Sequence, residues 1–90
     1  MTMNCRYDNL GETALLTFTG ELTAHCSEDL IKVLLMSLGN SDHLVVDLKR
    51  VTVLDPSCKK MFSIACKTSL LLKKKVTMTG MSLENFSGTP

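Results

Sequence analysis

Apolar and polar residues alternate in the first part of the chain, which is the pattern of a strand with one buried face. Leu16 and Phe18 alternate with Leu15, Thr17 and Thr19 in a β-prone run that Gly20 ends. Met3–Tyr7 lies before this run, and Asn9-Leu10-Gly11-Glu12 between them has the composition of a turn. The sequence therefore predicts a β-hairpin.

The spacing of apolar residues changes to three and four in the next segment, which is the period of a helix. The apolar stripe consists of Leu30, Val33, Leu34 and Leu38, widened by Ile31 and Leu35. Glu28 and Asp29 lie near its start and Gly39 just past its end, as expected for the two termini of a helix. We expect this helix to pack one side against a sheet.

Short apolar runs further along the chain predict more strands. Leu44–Leu48 is too short for a helix and suits a buried central strand, and a second run, Val51–Leu54, follows it. After a second helix, Val76–Thr79 predicts a last strand that ends at Gly80. This order of elements indicates an α/β fold, in which a single-layer mixed β-sheet is flanked by helices.

The second helix has the clearest start in the sequence, Asp55-Pro56-Ser57-Cys58. We expect Asp55 to be the N-cap, because its carboxylate can accept a first-turn N–H, and Pro56 to occupy the first helical position. Ser57 would then lie in the first turn with its hydroxyl towards solvent. The rest of this helix is predicted to have two adjoining apolar faces. One face consists of Cys58, Met61, Phe62 and Ala65, and the other of Ile64, Thr68, Leu71 and Leu72. The helix is predicted to end in Lys73, Lys74 and Lys75, whose positive charges complement the negative end of the helix dipole.

A serine at the start of a helix is either an ordinary polar residue or a site of phosphorylation. Free backbone N–H groups and the positive end of the helix dipole could hold a phosphate on Ser57. The local pattern leaves both interpretations open.

Composition restricts the classes of function. The chain has 90 residues, 44% hydrophobic and 21% charged, which suits one domain over residues 1–90, with its core in about residues 3–80 and a short tail over 81–90. A net charge of +1 without a basic face gives no support for nucleic-acid binding. The sequence contains no bilayer-length apolar run and no signal-peptide pattern, so we expect no membrane insertion and a cytoplasmic location.

Four cysteines raise the question of catalysis or metal binding. They include no Cys-x-x-Cys pair, and we expect small buried residues without a metal or cofactor. Cys58, near a helix start, would be a nucleophile only with a lowered pKa and a nearby base. His25 is expected at the solvent-facing start of the first helix and His43 in a turn, so an enzyme is disfavoured. A metal site from His25, Cys26 and Cys58 would require the two helix starts to meet.

The order of these motifs resembles the STAS domain family, which includes the anti-sigma-factor antagonists. That family has Gly-Glu-Leu at the opening of its first helix, a strand ending in hydrophobic-Asp-Leu, and an Asp-Ser-Ser-Gly type of motif at the next helix. This sequence has Gly20-Glu21-Leu22, Val46-Asp47-Leu48 and Asp55-Pro56-Ser57-Cys58 in the same order, followed by Val76–Gly80. The resemblance covers roughly residues 12 to 80 and implies the mixed sheet and flanking helices already predicted.

In the anti-sigma-factor antagonists, an anti-sigma factor that is also a GHKL-type serine kinase phosphorylates the second serine of the motif and thereby breaks the complex. The resemblance implies regulation of transcription, with phosphorylation at Ser57. The partner-binding residues that it implies are Asp55, Pro56, Ser57, Cys58, Glu21 and Thr23. Pro56 and Cys58 depart from the motif, where the family has serine and glycine. The chain also looks C-terminally abbreviated, because only Met81–Pro90 follow Gly80.

The resemblance leaves a second role open. Other STAS proteins are accessory subunits of ABC-type lipid transporters, where the partner is a transporter ATPase and no phosphorylation is needed. An abbreviated C-terminus would also leave apolar surface uncovered, so we expect weak homodimerisation.

Overall fold

The computed structural model describes residues 3–80 and consists of a four-stranded sheet and two helices. In chain order the elements are β1 Asn4–Leu10, β2 Thr13–Leu22, a 3-10 turn Ala24–Cys26, α1 Ser27–Gly39, β3 His43–Leu54, α2 Pro56–Leu71 and β4 Lys75–Thr79. The sheet order is β1-β2-β3-β4, with β1 antiparallel to β2 and the other neighbours parallel. The predicted α/β fold with a mixed sheet is confirmed. The predicted tail and C-terminal abbreviation concern residues 81–90, which lie outside the described residues.

The core lies between the sheet and the helices on one of its faces. Both parallel connections step in the same direction across the sheet, and because such crossovers are right-handed, α1 and α2 cover the same face. The buried cluster takes Leu16, Phe18, Leu44 and Val46 from the sheet and Leu30, Leu34, Phe62 and Ala65 from the helices. Phe18 and Phe62 meet edge to face, with ring centroids 5.8 Å apart.

The predicted hairpin is confirmed, but β2 is longer than the sequence predicts. Gly20 does not end the strand: it adopts φ +87° next to a shift in the pairing between β2 and β3, and β2 continues to Leu22. A glycine suits this irregular position because it has no Cβ to oppose a positive φ. Gly20-Glu21-Leu22 therefore closes a strand, and the expectation that it opens the first helix is wrong.

The two predicted runs Leu44–Leu48 and Val51–Leu54 belong to one strand, β3, which has 12 residues. The exposed pair Lys49 and Arg50 joins them, which explains why the polar interruption suggested a break. His43 is the first residue of β3 rather than part of a turn, and its Nε2 lies 2.7 Å from Thr77 Oγ1 on β4.

The starts of the parallel strands are joined by backbone hydrogen bonds that are additional to those between paired strand residues. The N–H groups of Asp42 and His43 both donate to the Glu12 carbonyl, at 2.9 and 3.2 Å. The Lys75 N–H donates to the Asp42 carbonyl at 3.0 Å. The entries into β2, β3 and β4 are therefore tied together at this end.

The end of α2 differs from the prediction in two ways. Its second apolar face is not covered by the described residues, since Leu71 is 85% exposed and Leu72 is 50% exposed. The last turn of α2 contains no basic residue. Lys74 instead donates from Nζ to the Leu38 carbonyl at 2.5 Å, where a cation stabilises the negative end of α1.

Candidate functional site

Two segments that are distant in sequence meet where the parallel strands end. Because β2 and β3 are parallel neighbours, their last residues lie at the same edge of the sheet. The Asp55 N–H donates to the Leu22 carbonyl at 2.9 Å, which holds the start of α2 against the end of β2. Five of the predicted site residues are thereby brought to one region, which we call the strand-end surface: Glu21, Thr23, Asp55, Pro56 and Ser57.

The start of α2 is capped as the sequence predicts. Asp55 is the N-cap, with extended backbone, and Pro56 occupies the first helical position. One carboxylate oxygen of Asp55, Oδ2, accepts both the Ser57 hydroxyl at 2.5 Å and the Ser57 N–H at 2.9 Å. The hydroxyl bond and then the N–H bond lower the pKa of Asp55, because both favour the charged carboxylate.

The expected cradle of free N–H groups for a phosphate is absent from the first turn of α2. Pro56 has no N–H, and the Ser57 N–H is bonded to the Asp55 side chain. The N–H groups of Cys58 and Lys59 both donate to the Asp55 carbonyl, at 2.9 and 3.0 Å. The expectation about a phosphate on Ser57 is wrong in this respect, because the group nearest to the hydroxyl is the Asp55 carboxylate.

The strand-end surface is accessible, with one exception among the predicted residues. Glu21 and Pro56 are exposed, and Thr23, Asp55 and Ser57 are partly exposed. Cys58 has no exposed area, because its side chain points into the core between sheet and helices. Its thiol therefore cannot touch a partner, and we leave Cys58 out of the surface.

Behind this surface two cysteines face each other. The sulfurs of Cys26 and Cys58 are 4.0 Å apart, and each lies close to the Thr23 carbonyl oxygen, at 3.1 and 3.2 Å. The two helix starts thus meet, as the metal alternative required. His25, however, is exposed, and residues 3–80 contain no group of three or more His, Cys, Asp or Glu side chains able to hold a metal. The spacing of the cysteines in the sequence gave no sign of this contact.

The environment of Cys58 is the opposite of what a cysteine nucleophile needs. Burial, and then the neighbouring Cys26, raise the pKa of Cys58 to about 12. This shift is opposite to the lowered pKa that the alternative of a cysteine nucleophile required. His43 cannot serve as its base, because it lies at the start of β3 whereas Asp55 follows the end of that strand.

Neither described helix could cross a membrane, since α1 and α2 are too short and too polar.

Comparison with solved structures shows that the chain has the STAS domain fold. The unphosphorylated anti-sigma factor antagonist SpoIIAA superposes with a TM-score of 0.75, at 15% identity, over 88% of this chain and 74% of that one. The phosphorylated form of the Bacillus cell fate determinant SpoIIAA gives 0.77, at 16% identity, over 94% and 84%. A STAS domain antisigma-factor antagonist from Rhodobacter sphaeroides gives 0.63, at 18% identity, over 91% and 88%. No protein-family model matches the sequence, and no curated protein matches it significantly.

Proposed function

We propose that this STAS-fold domain is a protein–protein interaction module that acts as an anti-sigma-factor antagonist and regulates transcription. Its strand-end surface binds an anti-sigma factor with GHKL-type serine kinase activity. The observation that carries the proposal is the partly exposed residue Ser57, whose hydroxyl is hydrogen-bonded to Asp55 within that surface. The likeness to SpoIIAA, an anti-sigma factor antagonist with unphosphorylated and phosphorylated forms, supports the same class of function.

Phosphorylation of Ser57 would switch this interaction by changing the local charge. A phosphate adds about −1.5 to −2 charges and removes the hydroxyl hydrogen that now bonds to Asp55. The first turn of α2 has no free N–H to compensate that charge, so the phosphate and the Asp55 carboxylate repel each other. A penalty of about 3 kcal/mol at the interface corresponds to roughly hundredfold weaker binding.

Affinity capture with matched variants tests the proposal. Purified wild type, Ser57→Ala and Ser57→Asp would serve as bait for proteins of the source cell, identified by mass spectrometry. We expect wild type and Ser57→Ala to capture a GHKL-type kinase that Ser57→Asp binds about a hundredfold more weakly by titration calorimetry. With ATP, that kinase is expected to place phosphate on Ser57 of the wild type.

A control variant separates a local effect from a general effect of charge. Asn9→Asp adds the same single negative charge near the β1–β2 turn, at the opposite end of the sheet, and keeps the acceptor that Asn9 Oδ1 offers to the Gly11 N–H. It should bind like wild type. Equal affinities of Ser57→Ala and Ser57→Asp would contradict the switch. Capture of a transporter ATPase instead would favour the role of a lipid-transporter accessory subunit.

The remaining expectations from the sequence form part of this proposal. The module would meet its partner in the cytoplasm and would act by binding rather than by catalysis. Weak homodimerisation also stays a prediction. The apolar surface that such a homodimer would bury includes the exposed leucines at the end of α2, Leu70 and Leu71.

A further inference from the structure

The buried contact between Cys26 and Cys58 is not used by the proposed function. The two residues are 32 positions apart in the sequence and belong to different elements, the Ala24–Cys26 turn and the first turn of α2. Their sulfurs nevertheless lie 4.0 Å apart in the core, where Cys26 is 5% exposed and Cys58 is 0% exposed. We propose that Cys26 and Cys58 are a redox-active dithiol that forms a reversible disulfide between the starts of the two helices.

The polar surroundings of the pair hold the two sulfurs towards each other. Both thiols are directed at a single acceptor, the Thr23 carbonyl, which also accepts the Cys26 N–H at 3.1 Å. Three donors therefore converge on one oxygen, and this convergence brings the sulfurs together. A disulfide requires a sulfur–sulfur distance of about 2.0 Å, so bond formation needs an approach of about 2 Å. A change of side-chain rotamers and a small shift of the Ala24–Cys26 turn would supply it.

The chemistry of the pair favours a disulfide over a metal site. Two thiols without a third ligand do not make a structural zinc site, which takes four. Within residues 3–80 no third His, Cys, Asp or Glu completes such a group. Two thiols in contact are, in contrast, all that the protein must contribute to a disulfide, which also requires an oxidant.

The oxidant that this reaction requires is a small-molecule disulfide such as oxidised glutathione. Cys26 is the less buried of the two, at 5% exposed against 0% for Cys58, so it reacts first, when the Ala24–Cys26 turn shifts. Its thiolate attacks one sulfur of the oxidant, the sulfur–sulfur bond of the oxidant breaks, and one glutathione leaves. The Cys58 sulfur, 4.0 Å away, then attacks the Cys26 sulfur, gives up its proton in the same step and expels the second glutathione. Two protein thiols are oxidised, one glutathione disulfide is reduced, and the two protons pass to the departing thiolates.

Oxidation would change the hydrogen bonding behind the strand-end surface. The disulfide removes both S–H donors from the Thr23 carbonyl, leaving it only the Cys26 N–H. It also fixes Cys58, the neighbour of Ser57, to the turn that follows Thr23. The disulfide itself does not depend on the proposed function, because it is measured on the isolated chain without a partner.

The experiment is thiol counting on the folded full chain. The protein is incubated with excess oxidised glutathione, and then denatured and alkylated, and its peptides are mapped by mass spectrometry. We expect two of the four thiols to be lost together, as one monomeric species with Cys26 linked to Cys58, and to return after reduction. In Cys26→Ser, Cys58 should stay free of any intramolecular disulfide, whereas the control variants Cys5→Ser and Cys66→Ser should still form the Cys26–Cys58 bond.

Two results would overturn the proposal. One is a wild-type chain that keeps all four thiols in excess oxidant while the same chain in denaturant is oxidised. The other is a disulfide that joins different cysteines. Since the wild-type peptide map alone decides between these outcomes, a folding defect in Cys26→Ser would not prevent the test.

Discussion

The Ser57 hydroxyl donates a hydrogen bond to the Asp55 carboxylate over 2.5 Å, and the same oxygen accepts the Ser57 N–H at 2.9 Å. One carboxylate oxygen thus caps α2 and fixes the side chain that we propose as the switch. Any change of Ser57 is therefore also a change in the environment of Asp55.

Ser57→Ala should raise the pKa of Asp55. The hydroxyl bond is the larger of the two contacts that lower this pKa, and the N–H bond remains in the variant. We expect the pKa of Asp55 to move towards its ordinary value without reaching it. A carboxyl titration by NMR would measure the shift. Ser27→Ala, which removes only a bond to the Ala24 carbonyl, is the control and should leave the Asp55 titration unchanged.

The stability of the domain should depend on the ionisation of Asp55 in acid. The folded-state pKa of Asp55 is lowered, so the unfolded chain binds the proton more readily, and the stabilising contribution is fully present above the unfolded-state pKa of about 3.9. This contribution is lost as the pH falls through the folded-state pKa. Urea unfolding of wild type and Asp55→Asn over acid pH would measure it.

The advantage of wild type over Asp55→Asn should be constant above this window and should shrink on acidification. Asparagine keeps an oxygen acceptor for the Ser57 N–H but cannot ionise. A difference in unfolding free energy that does not change with pH would show that the charge of Asp55 makes no contribution.

Gly80→Ala should destabilise the domain by more than about 2 kcal/mol. Gly80 adopts φ +90°, and a Cβ there would lie 2.6 Å from the Lys49 backbone N and 2.8 Å from its Cα. Backbone atoms cannot move aside as a flexible side chain can, so the end of β4 would be displaced from β3. Thermal or urea unfolding would measure the loss.

Gly39→Ala is the matched control for Gly80. A Cβ at Gly39, at the end of α1, would meet no atom within 4 Å. The same substitution there should leave stability unchanged or raise it by up to about 1 kcal/mol, since alanine favours helix. Equal losses at the two glycines would contradict the close approach of Gly80 to β3.

Lys74→Met should reduce stability by about 0.5–1 kcal/mol, less at high salt. The Lys74 ammonium donates to the Leu38 carbonyl in the last turn of α1, and methionine keeps the apolar stem without the charge. Lys67→Met, at an exposed position of α2, removes the same charge without that contact. Urea unfolding at low and high salt would compare them. If Lys67→Met lost as much unfolding free energy as Lys74→Met, the loss would come from the change in net charge and not from the contact with Leu38.

Local sequence rules predicted the start of α2 correctly, because a cap depends only on neighbouring residues. Asp55 and Pro56 occupy the positions that their chemistry favours. The order of strands and helices also followed from apolar spacing. The predicted strand boundaries were less accurate. Gly20 and the exposed Lys49 interrupt the pattern of apolar residues along the sequence, but β2 and β3 remain paired beyond both positions.

Contacts between distant segments could not be predicted in the same way. Lys74 reaches the end of α1, and Cys26 meets Cys58, only after two crossovers have placed both helices on one face of the sheet. The lack of free N–H groups for a phosphate could have been predicted only in part, from Pro56, because proline has no backbone N–H. The bonds that occupy the other N–H groups required coordinates.

The backbone bonds that tie Glu12, Asp42 and Lys75 lie at the edge of the sheet opposite to Ser57. These bonds and the proposed partner-binding surface are therefore at opposite ends of the sheet. Substitutions within the proposed surface would leave the bonds that tie the strand starts unchanged. Such a domain can diverge in what it binds without losing its architecture.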